Sequence, residues 1–369
     1  MVEINYGYRL LDDPLYQKSL QKLYTAFSNW EALEGKTILI SGATGMIGLY
    51  LIDALMMRNM SLSEAHKTHI IGIGRDKASA KERFSFWKKH AELTFLPHNI
   101  QNSLPQITEN VNYIVHAAST THPQDYATHP IDTILTNILG TKNLLDFSVT
   151  QPGCRFVLLS SVEVYGENRG DIEAFHEHYC GYIDCNTLRA GYPEAKRVSE
   201  TLCQAFIEEK DVDAVILRLP RCYGPTMRLT DTKAISQFLK KAASEEDIIM
   251  KSEGNQLYSY AHVCDAVQGI LWTLVHGERG AAYNLGNSSS DLLLRDLAAL
   301  CAAQASTHVV FEMPKGVEKK GYSTASKALM DGNKLTVLGW SPKYDISLGV
   351  AETVKLLRRR MRSEGNTNS

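Results

Sequence analysis

The chain has 369 residues, 44% of them apolar and 22% charged, with a formal net charge of −2. That length accommodates one large α/β domain or two closely joined ones with an ample core, and the near-neutral balance excludes a global basic field for nucleic acid. Seven scattered cysteines without a Cys-x-x-Cys pair exclude a disulfide framework and predict a reducing, cytoplasmic setting.

The opening stretch from Met1 to Tyr6 lacks a basic region followed by an apolar run, so no signal peptide is expected. No apolar stretch is long enough to span a bilayer. Leu15, Leu20, Leu23, Phe27 and Trp30 recur at helical spacing and predict a packed helix within an N-terminal extension, residues 1–34. Docking on the core and docking on a partner subunit are both open for it. Lys36 to Ser41 reads as the first strand and runs into Gly42-Ala-Thr-Gly-Met-Ile-Gly48, then a helix to about Arg58. Glycines at 42, 45 and 48 permit a tight turn and close approach of a pyrophosphate, whose charge the helix N-terminus favours. Strand–turn–helix flanks turn this otherwise weak motif into a dinucleotide site, with Thr44, Met46 and Ile47 beside the glycines.

His69 to Gly74 is the second strand and ends at Arg75-Asp76. An acid there would bind the adenosine ribose of NAD, and an arginine could accommodate the extra phosphate of NADP; with both present, NAD and NADP stay open. Ala78 to His90 reads as a helix and Leu93 to Pro97 as a third strand, followed by Asn99 and Ile100 near the adenine. Val111 to Ala118 is a fourth strand whose small residues Ala117 and Ala118 suit close approach to a cofactor. His116 is a cofactor-side candidate, although a packed core histidine is the simpler reading. Pro130 to about Thr150 is helical.

Arg155 to Leu159, an apolar run of the kind buried in parallel sheets, leads into Ser160-Ser161-Val162-Glu163-Val164-Tyr165-Gly166. Ligands of open α/β sheets bind at this carboxyl end of the strands. Further on, Tyr192-Pro-Glu-Ala-Lys196 places a phenol and an ammonium one helical turn apart. A free phenol, with a pKa of about 10, is a poor base at neutral pH, and a nearby lysine cation favours its ionised form. Ser161, Tyr192 and Lys196 together could take a proton from an alcohol while a nicotinamide takes the hydride. Alone, Tyr-x-x-x-Lys would be an ordinary helix-surface pair; the dinucleotide site upstream gives it meaning.

Arg169 to Arg189 is a long connection. Its His176, His178, Cys180 and Cys185 match no established ligand spacing, so no metal is expected. Asp213 to Arg218 is a sixth strand. The alternation of strands and helices predicts a Rossmann-like, doubly wound parallel α/β sheet over residues 35–225. After Pro225 the rhythm changes. Residues 226–369 read mainly as a smaller C-terminal α/β lobe for substrate, with segments around 262–287 returning to the main domain. It contains a helix at Thr232–Ser244, short strands around Glu253-Gly-Asn, and helices at about 291–304 and 346–361.

These residues resemble the extended short-chain dehydrogenase/reductases that modify sugar nucleotides: the NAD-dependent epimerases, dehydratases and decarboxylases. The likeness runs from about Lys36 to Met361. It rests on Gly42/Gly45/Gly48, His116-Ala-Ala118, Asn137 with Gly140-Thr141, Ser160-Ser161 with Val164-Tyr165-Gly166, Tyr192 with Lys196, Tyr223-Gly-Pro225, His262-Val-Cys-Asp265 and Tyr283-Asn-Leu-Gly-Asn287. The resemblance implies a recycled NAD, oxidation of the sugar at C4 with Tyr192 as base, a nucleotide-sugar substrate and a homodimer.

Within that family Glu163 is informative. The resemblance implies an acid there in dehydratases and UDP-glucuronate decarboxylases but not commonly in 4-epimerases, because a C4 ketone acidifies the C5 proton and a carboxylate can remove it. Dehydratases usually carry Asp one residue earlier, where this chain has Val162. The segment Gly181 to Tyr192, followed by Lys196-Arg197, looks most like the decarboxylase branch. Two positions depart from the family pattern. Arg221 stands where Asn is usual, and Tyr258 stands where an arginine usually binds the diphosphate or assists decarboxylation. Arg221 is therefore expected to take over anion binding, or else to pair structurally with a nearby acid; Ser119 and Tyr258 are expected beside it at the substrate. The first expectation is UDP-glucuronate decarboxylation, with 4,6-dehydration and 4-epimerisation as alternatives. Readings of another kind are a non-catalytic dinucleotide-binding regulator and a simple NADP-dependent reductase.

Overall fold

The computed structural model describes residues 8–119, 126, 128–312 and 325–366, so the opening stretch Met1–Tyr6 lies outside the described residues. The N-terminal extension contributes α1 (Pro14–Ala26). Asp13 caps it by accepting from the Leu15 amide, and Pro14 occupies its first turn. The chain then alternates through β1 (Thr37–Ser41), α2 (Met46–Asn59), β2 (His69–Gly74), α3 (Lys77–Arg83), β3 (Leu93–Pro97), β4 (Tyr113–His116), α4 (Pro130–Val149), β5 (Arg155–Ser161), α5 (Gly191–Lys210) and β6 (Asp213–Leu219). The continuation is β7 (Arg221–Tyr223), α6 (Ala234–Ala243), β8 (Ile248–Met250), β9 (Leu257–His262), α7 (Val263–His276) and β10 (Ala282–Asn284). Last come β11 (Asp291–Leu293), α8 (Leu294–Ala303), β12 (Val309–Phe311), β13 (Lys327–Ala328), α9 (Asn333–Val337) and α10 (Ile346–Asn366).

Seven strands form one parallel sheet in the order β10-β6-β5-β4-β1-β2-β3. The chain winds from β1 out to β3, then returns to β4 on the other side of β1. That reversal is the switch point where doubly wound sheets bind ligands. Buried apolar side chains line both faces of the sheet, with Ile38, Ile40, Val115 and Val157 in one cluster and Leu39, Ile114, Phe156 and Leu158 in another. This is why the strands read as continuous apolar runs. The segment Ala282–Asn284 joins this sheet beside β6 although it follows residue 226. The smaller lobe has β9 paired with β7, β11 and β13, a separate β8–β12 pair, and its own core around Phe238, Leu239 and Leu297.

Two expected elements differ. The helix expected from Ala78 to His90 ends at Arg83, because Phe84 and Trp87 turn inward; Trp87 is buried and donates its Nε1–H to Asp53 Oδ1 at 2.8 Å. The helix expected from 291 starts at Leu294, because Asp291–Leu293 pairs antiparallel with β9. The extension docks on its own chain: Phe27 packs edge-on against Trp272 at 5.3 Å, and Tyr16 donates to the buried Asp53 at 2.8 Å. Among the described residues no helix is long and apolar enough to cross a membrane.

Candidate active site

A cavity of about 1440 Å³ opens over the carboxyl ends of β1, β4 and β5 and extends between the sheet and the smaller lobe. At one end it is walled by Gly42, Thr44, Gly45, Met46, Ile47 and Gly48. Gly42 has φ +71°, and a Cβ there would lie 2.7 Å from the Ala118 amide nitrogen and 2.8 Å from the Ala117 carbonyl. Only glycine lets the loop lie this close to the backbone that follows β4. Gly45 begins α2 with no side chain capping it, so the first amides of that helix are available to an anion. These features fit the pyrophosphate of NAD.

Arg75, Asp76, Asn99 and Ile100 line the same end. Asp76 accepts from the Ala78 amide at 2.9 Å and so caps α3, while Arg75 reaches Asp132 at 3.5 Å. Asn99 accepts from the Gln101 amide at 3.2 Å. His116 is elsewhere. It is buried below the cavity, with Nδ1 2.7 Å from Ser41 Oγ and Nε2 3.2 Å from Thr141 Oγ1. Burial pushes its pKa down to about 3, so it is a neutral core histidine.

β5 and α5 bring the reactive groups together. Ser161 ends β5, and its Oγ accepts from the Glu163 amide at 3.2 Å, opening a short turn that aims Glu163 into the cavity. Tyr192 lies in the first turn of α5, buried, and hydrogen-bonds with both Ser161 and Ser119. Ser119 also donates to Asn137 Oδ1 at 2.9 Å. Burial raises the Tyr192 phenol to about 12, against the lowering influence of Ser161, Arg189 and Ser119. The expected lowering by Lys196 is not what governs this phenol. Lys196 Nζ stands 6.0 Å from the Tyr192 ring centroid and donates to the Leu159 carbonyl at 2.9 Å. Burial brings its own pKa down to about 8.

Glu163 is held by two guanidiniums. Arg189 Nη2 donates to both of its oxygens, at 3.1 and 3.0 Å, and Arg221 Nη2 stands 3.8 Å from Oε1. Arg221 also lies flat on the ring of Tyr258, 3.4 Å from its centroid. The cation therefore rests on the residue that replaces the arginine expected there. The Tyr258 hydroxyl is committed to the Ala325 carbonyl at 2.9 Å. The Nη1 atoms of Arg189 and Arg221 are both buried without a hydrogen-bond partner. Two cations and one acid leave the cluster positive, with donors that a negatively charged ligand would satisfy.

Several wall residues were not expected from the sequence, among them Arg189, Tyr126 and Tyr260. Arg189 stands three residues before Tyr192, a spacing that could have flagged it. Tyr126 stacks on Tyr192 at 5.0 Å and 18°, and Arg189 lies 5.3 Å from its centroid; an isolated tyrosine gave no signal. Tyr260 lines the cavity with an unpartnered buried hydroxyl. Among the described residues no group of three or more His, Cys, Asp or Glu could hold a metal. Cys180 and Cys185 are exposed.

Residues 38–286 match the family model described as the NAD dependent epimerase/dehydratase family. UDP-glucuronic acid decarboxylase 1 of Danio rerio is 28% identical over 337 residues, covering 90% of this chain and 75% of that protein. UDP-glucuronic acid decarboxylase 5 of Arabidopsis thaliana is 29% identical over 318 residues, covering 85% and 86%. The structure of dTDP-glucose 4,6-dehydratase from Streptomyces venezuelae, solved with NAD bound, superposes with a TM-score of 0.73 at 22% identity, covering 88% of this chain and 98% of that one. The fold, the glycine cradle and these matches agree: the chain belongs to the NAD-dependent epimerase/dehydratase family of enzymes, and NAD is its cofactor.

Proposed function

We propose that this enzyme decarboxylates a nucleotide sugar bearing a C6 carboxylate, with UDP-glucuronate as the substrate to test first. The observation that carries the proposal is the positive cluster around Glu163, whose two buried, unpartnered Nη1 donors suit a carboxylate. A C6 hydroxyl, as in a dehydratase substrate, supplies no charge to match it. The decarboxylase relatives support the same reading.

In this reading residues 35–225 hold NAD, and residues 226–369 are mainly the lobe for the nucleotide sugar, with segments at about 262–287 returning to the main domain. Gly42, Thr44, Gly45, Met46, Ile47 and Gly48 cradle the pyrophosphate, Arg75 and Asp76 meet the adenosine ribose, and Asn99, Ile100, Ala117 and Ala118 complete that wall. When bound, NAD would supply the hydride acceptor for oxidation at C4 and the hydride donor for its later reduction. Tyr192 receives the C4 hydroxyl proton, with Ser161 and Ser119 as its hydrogen-bond partners. Because burial holds the phenol near 12, those partners and the Arg189 charge must stabilise its ionised form. Lys196 fixes the turn of α5 against β5 and adds positive charge behind the phenol. Once C4 is a ketone it is β to the C6 carboxylate, and carbon dioxide leaves as an enolate forms. Arg189 and Arg221 orient the carboxylate, Tyr258 supports Arg221 from below, and Glu163 supplies the acid–base group on the C5 side.

The enzyme acts as a cytoplasmic homodimer in this proposal. Exposed Ile131, Leu135 and Val198 on α4 and α5 support pairing through those helices. The test is mass analysis of UDP-glucuronate, UDP-glucose and dTDP-glucose after incubation with enzyme and NAD. Loss of carbon dioxide from the first alone is expected. Loss of water from either glucose nucleotide would make the protein a dehydratase, and an isomer of unchanged mass an epimerase.

A further inference from the structure

The segment that follows β7 leaves the smaller lobe's side of the cavity and crosses the glycine loop. Thr226 Oγ1 donates to the Met46 carbonyl at 2.8 Å. Two residues later, Arg228 Nη2 donates to Thr44 Oγ1 at 2.8 Å, to the Thr44 carbonyl at 3.3 Å and to Ser79 Oγ at 3.4 Å. Its Nε also reaches the Thr44 carbonyl, at 3.4 Å. A guanidinium from outside the first six strands is thus pinned between the glycine loop and the start of α3. Its other terminal nitrogen, Nη1, bonds no described residue, and Arg228 itself lines the cavity.

Positive charge is in excess at this place. Arg83 donates from Nη2 to the Thr226 carbonyl at 2.5 Å, and its Nε is buried without a partner. Burial, with the cations of Arg360 and Arg228 close by, depresses its pKa to about 10; Asp53 and Glu82 oppose this only in part. Guanidiniums gathered beside an uncapped helix N-terminus form an environment for a diphosphate. The fold gives a reason to place one of them on a segment that the glycine loop does not itself carry. A group on the loop binds the cofactor, whereas a group crossing over it also obstructs departure.

We propose that Arg228 is a cofactor latch, a guanidinium that closes over the diphosphate half of NAD and slows its release. The inference rests on the NAD site and concerns residence of the cofactor. Its test uses no sugar, so its failure and a failure of the decarboxylase reading are distinguishable. Release of bound NAD is followed by exchange against isotopically labelled NAD, in the wild type and in Arg228→Ala and Arg228→Lys. Loss of one charge-assisted contact predicts release about ten- to a hundredfold faster in Arg228→Ala. Arg228→Lys, which keeps the charge but not the several-point grip on Thr44, falls between.

A role confined to holding the loop would weaken every ligand alike. Affinities for ADP and adenosine are therefore measured on protein exchanged free of NAD. The latch predicts that Arg228→Ala weakens ADP about ten- to a hundredfold and leaves adenosine unchanged. Wild-type release from Arg228→Ala, or equal weakening of ADP and adenosine, overturns the proposal. If Arg228→Ala does not fold, the same two measurements are made on Arg228→Gln, with the same outcomes deciding.

Discussion

At the scale of single residues, the site combines a buried phenol with a cluster of arginines. In the proposed function Tyr192, hydrogen-bonded to two serines, exchanges a proton with the substrate hydroxyl. Tyr192→Phe keeps the ring and its stacking on Tyr126. It is expected to melt within a degree or so of the wild type and to lose turnover by about a hundredfold or more; substantial retained turnover would remove Tyr192 from its role. Arg221 makes a different prediction. In the proposed function, removing its guanidinium takes away a donor to the substrate carboxylate but touches nothing at the glycine loop. Arg221→Ala is expected to raise KM for the carboxylated sugar about ten- to a hundredfold while NAD binding is unchanged. An unaltered KM would mean that Arg221 serves only its ion pair with Glu163. Ser161, Tyr192 and Lys196 were legible in the sequence because a strand end and a single helical turn fix their placement locally. The meeting of Arg221 with Tyr258 was not. It depends on β7 pairing with β9 so that Arg221 faces Tyr260, with Tyr258 two residues away on the same face. Neither strand announces the other as its neighbour.

At the scale of elements, α1 and α2 are joined through a buried acid. Asp53 accepts from Tyr16 at 2.8 Å and from Trp87 at 2.8 Å. Burial raises its pKa to about 6, against an ordinary aspartate value of about 3.9. A raised pKa means that the native state holds the proton more tightly. The stabilisation is full below about pH 4 and is lost as the pH rises through about 6. Asp53→Asn removes the titration and keeps an acceptor. Its stability relative to wild type, from urea unfolding, should therefore improve between about pH 4 and pH 6; parallel pH profiles would contradict the assignment. The helical spacing of Leu20, Leu23 and Phe27 predicted α1, but not its docking. Tyr16, Asp53 and Trp87 are far apart in the chain, and nothing local links them. The early end of α3 has the same origin, since Trp87 leaves the helix to reach Asp53.

At the scale of the whole molecule, the sheet brings the ends of β1, β4 and β5 together at the switch point, and the smaller lobe roofs them. Much of this frame was legible, because parallel strands buried on both faces write apolar runs and the turns between them carry glycine. Arg189, Arg221 and Tyr258 line the cavity where the two parts meet, and Arg221 and Tyr258 are the two positions that depart from the pattern the chain resembles. In the proposed function this meeting place accepts a C6 carboxylate and releases it as carbon dioxide while NAD is regenerated. The most direct measurement is to supply UDP-glucuronate isotopically labelled at C6 and to quantify label in trapped carbon dioxide alongside any NADH formed. A decarboxylase that recycles its cofactor releases label in many-fold excess over the NAD present, giving a pentose nucleotide and no matching build-up of NADH. Label retained in the nucleotide sugar after prolonged incubation with NAD-loaded enzyme would contradict it.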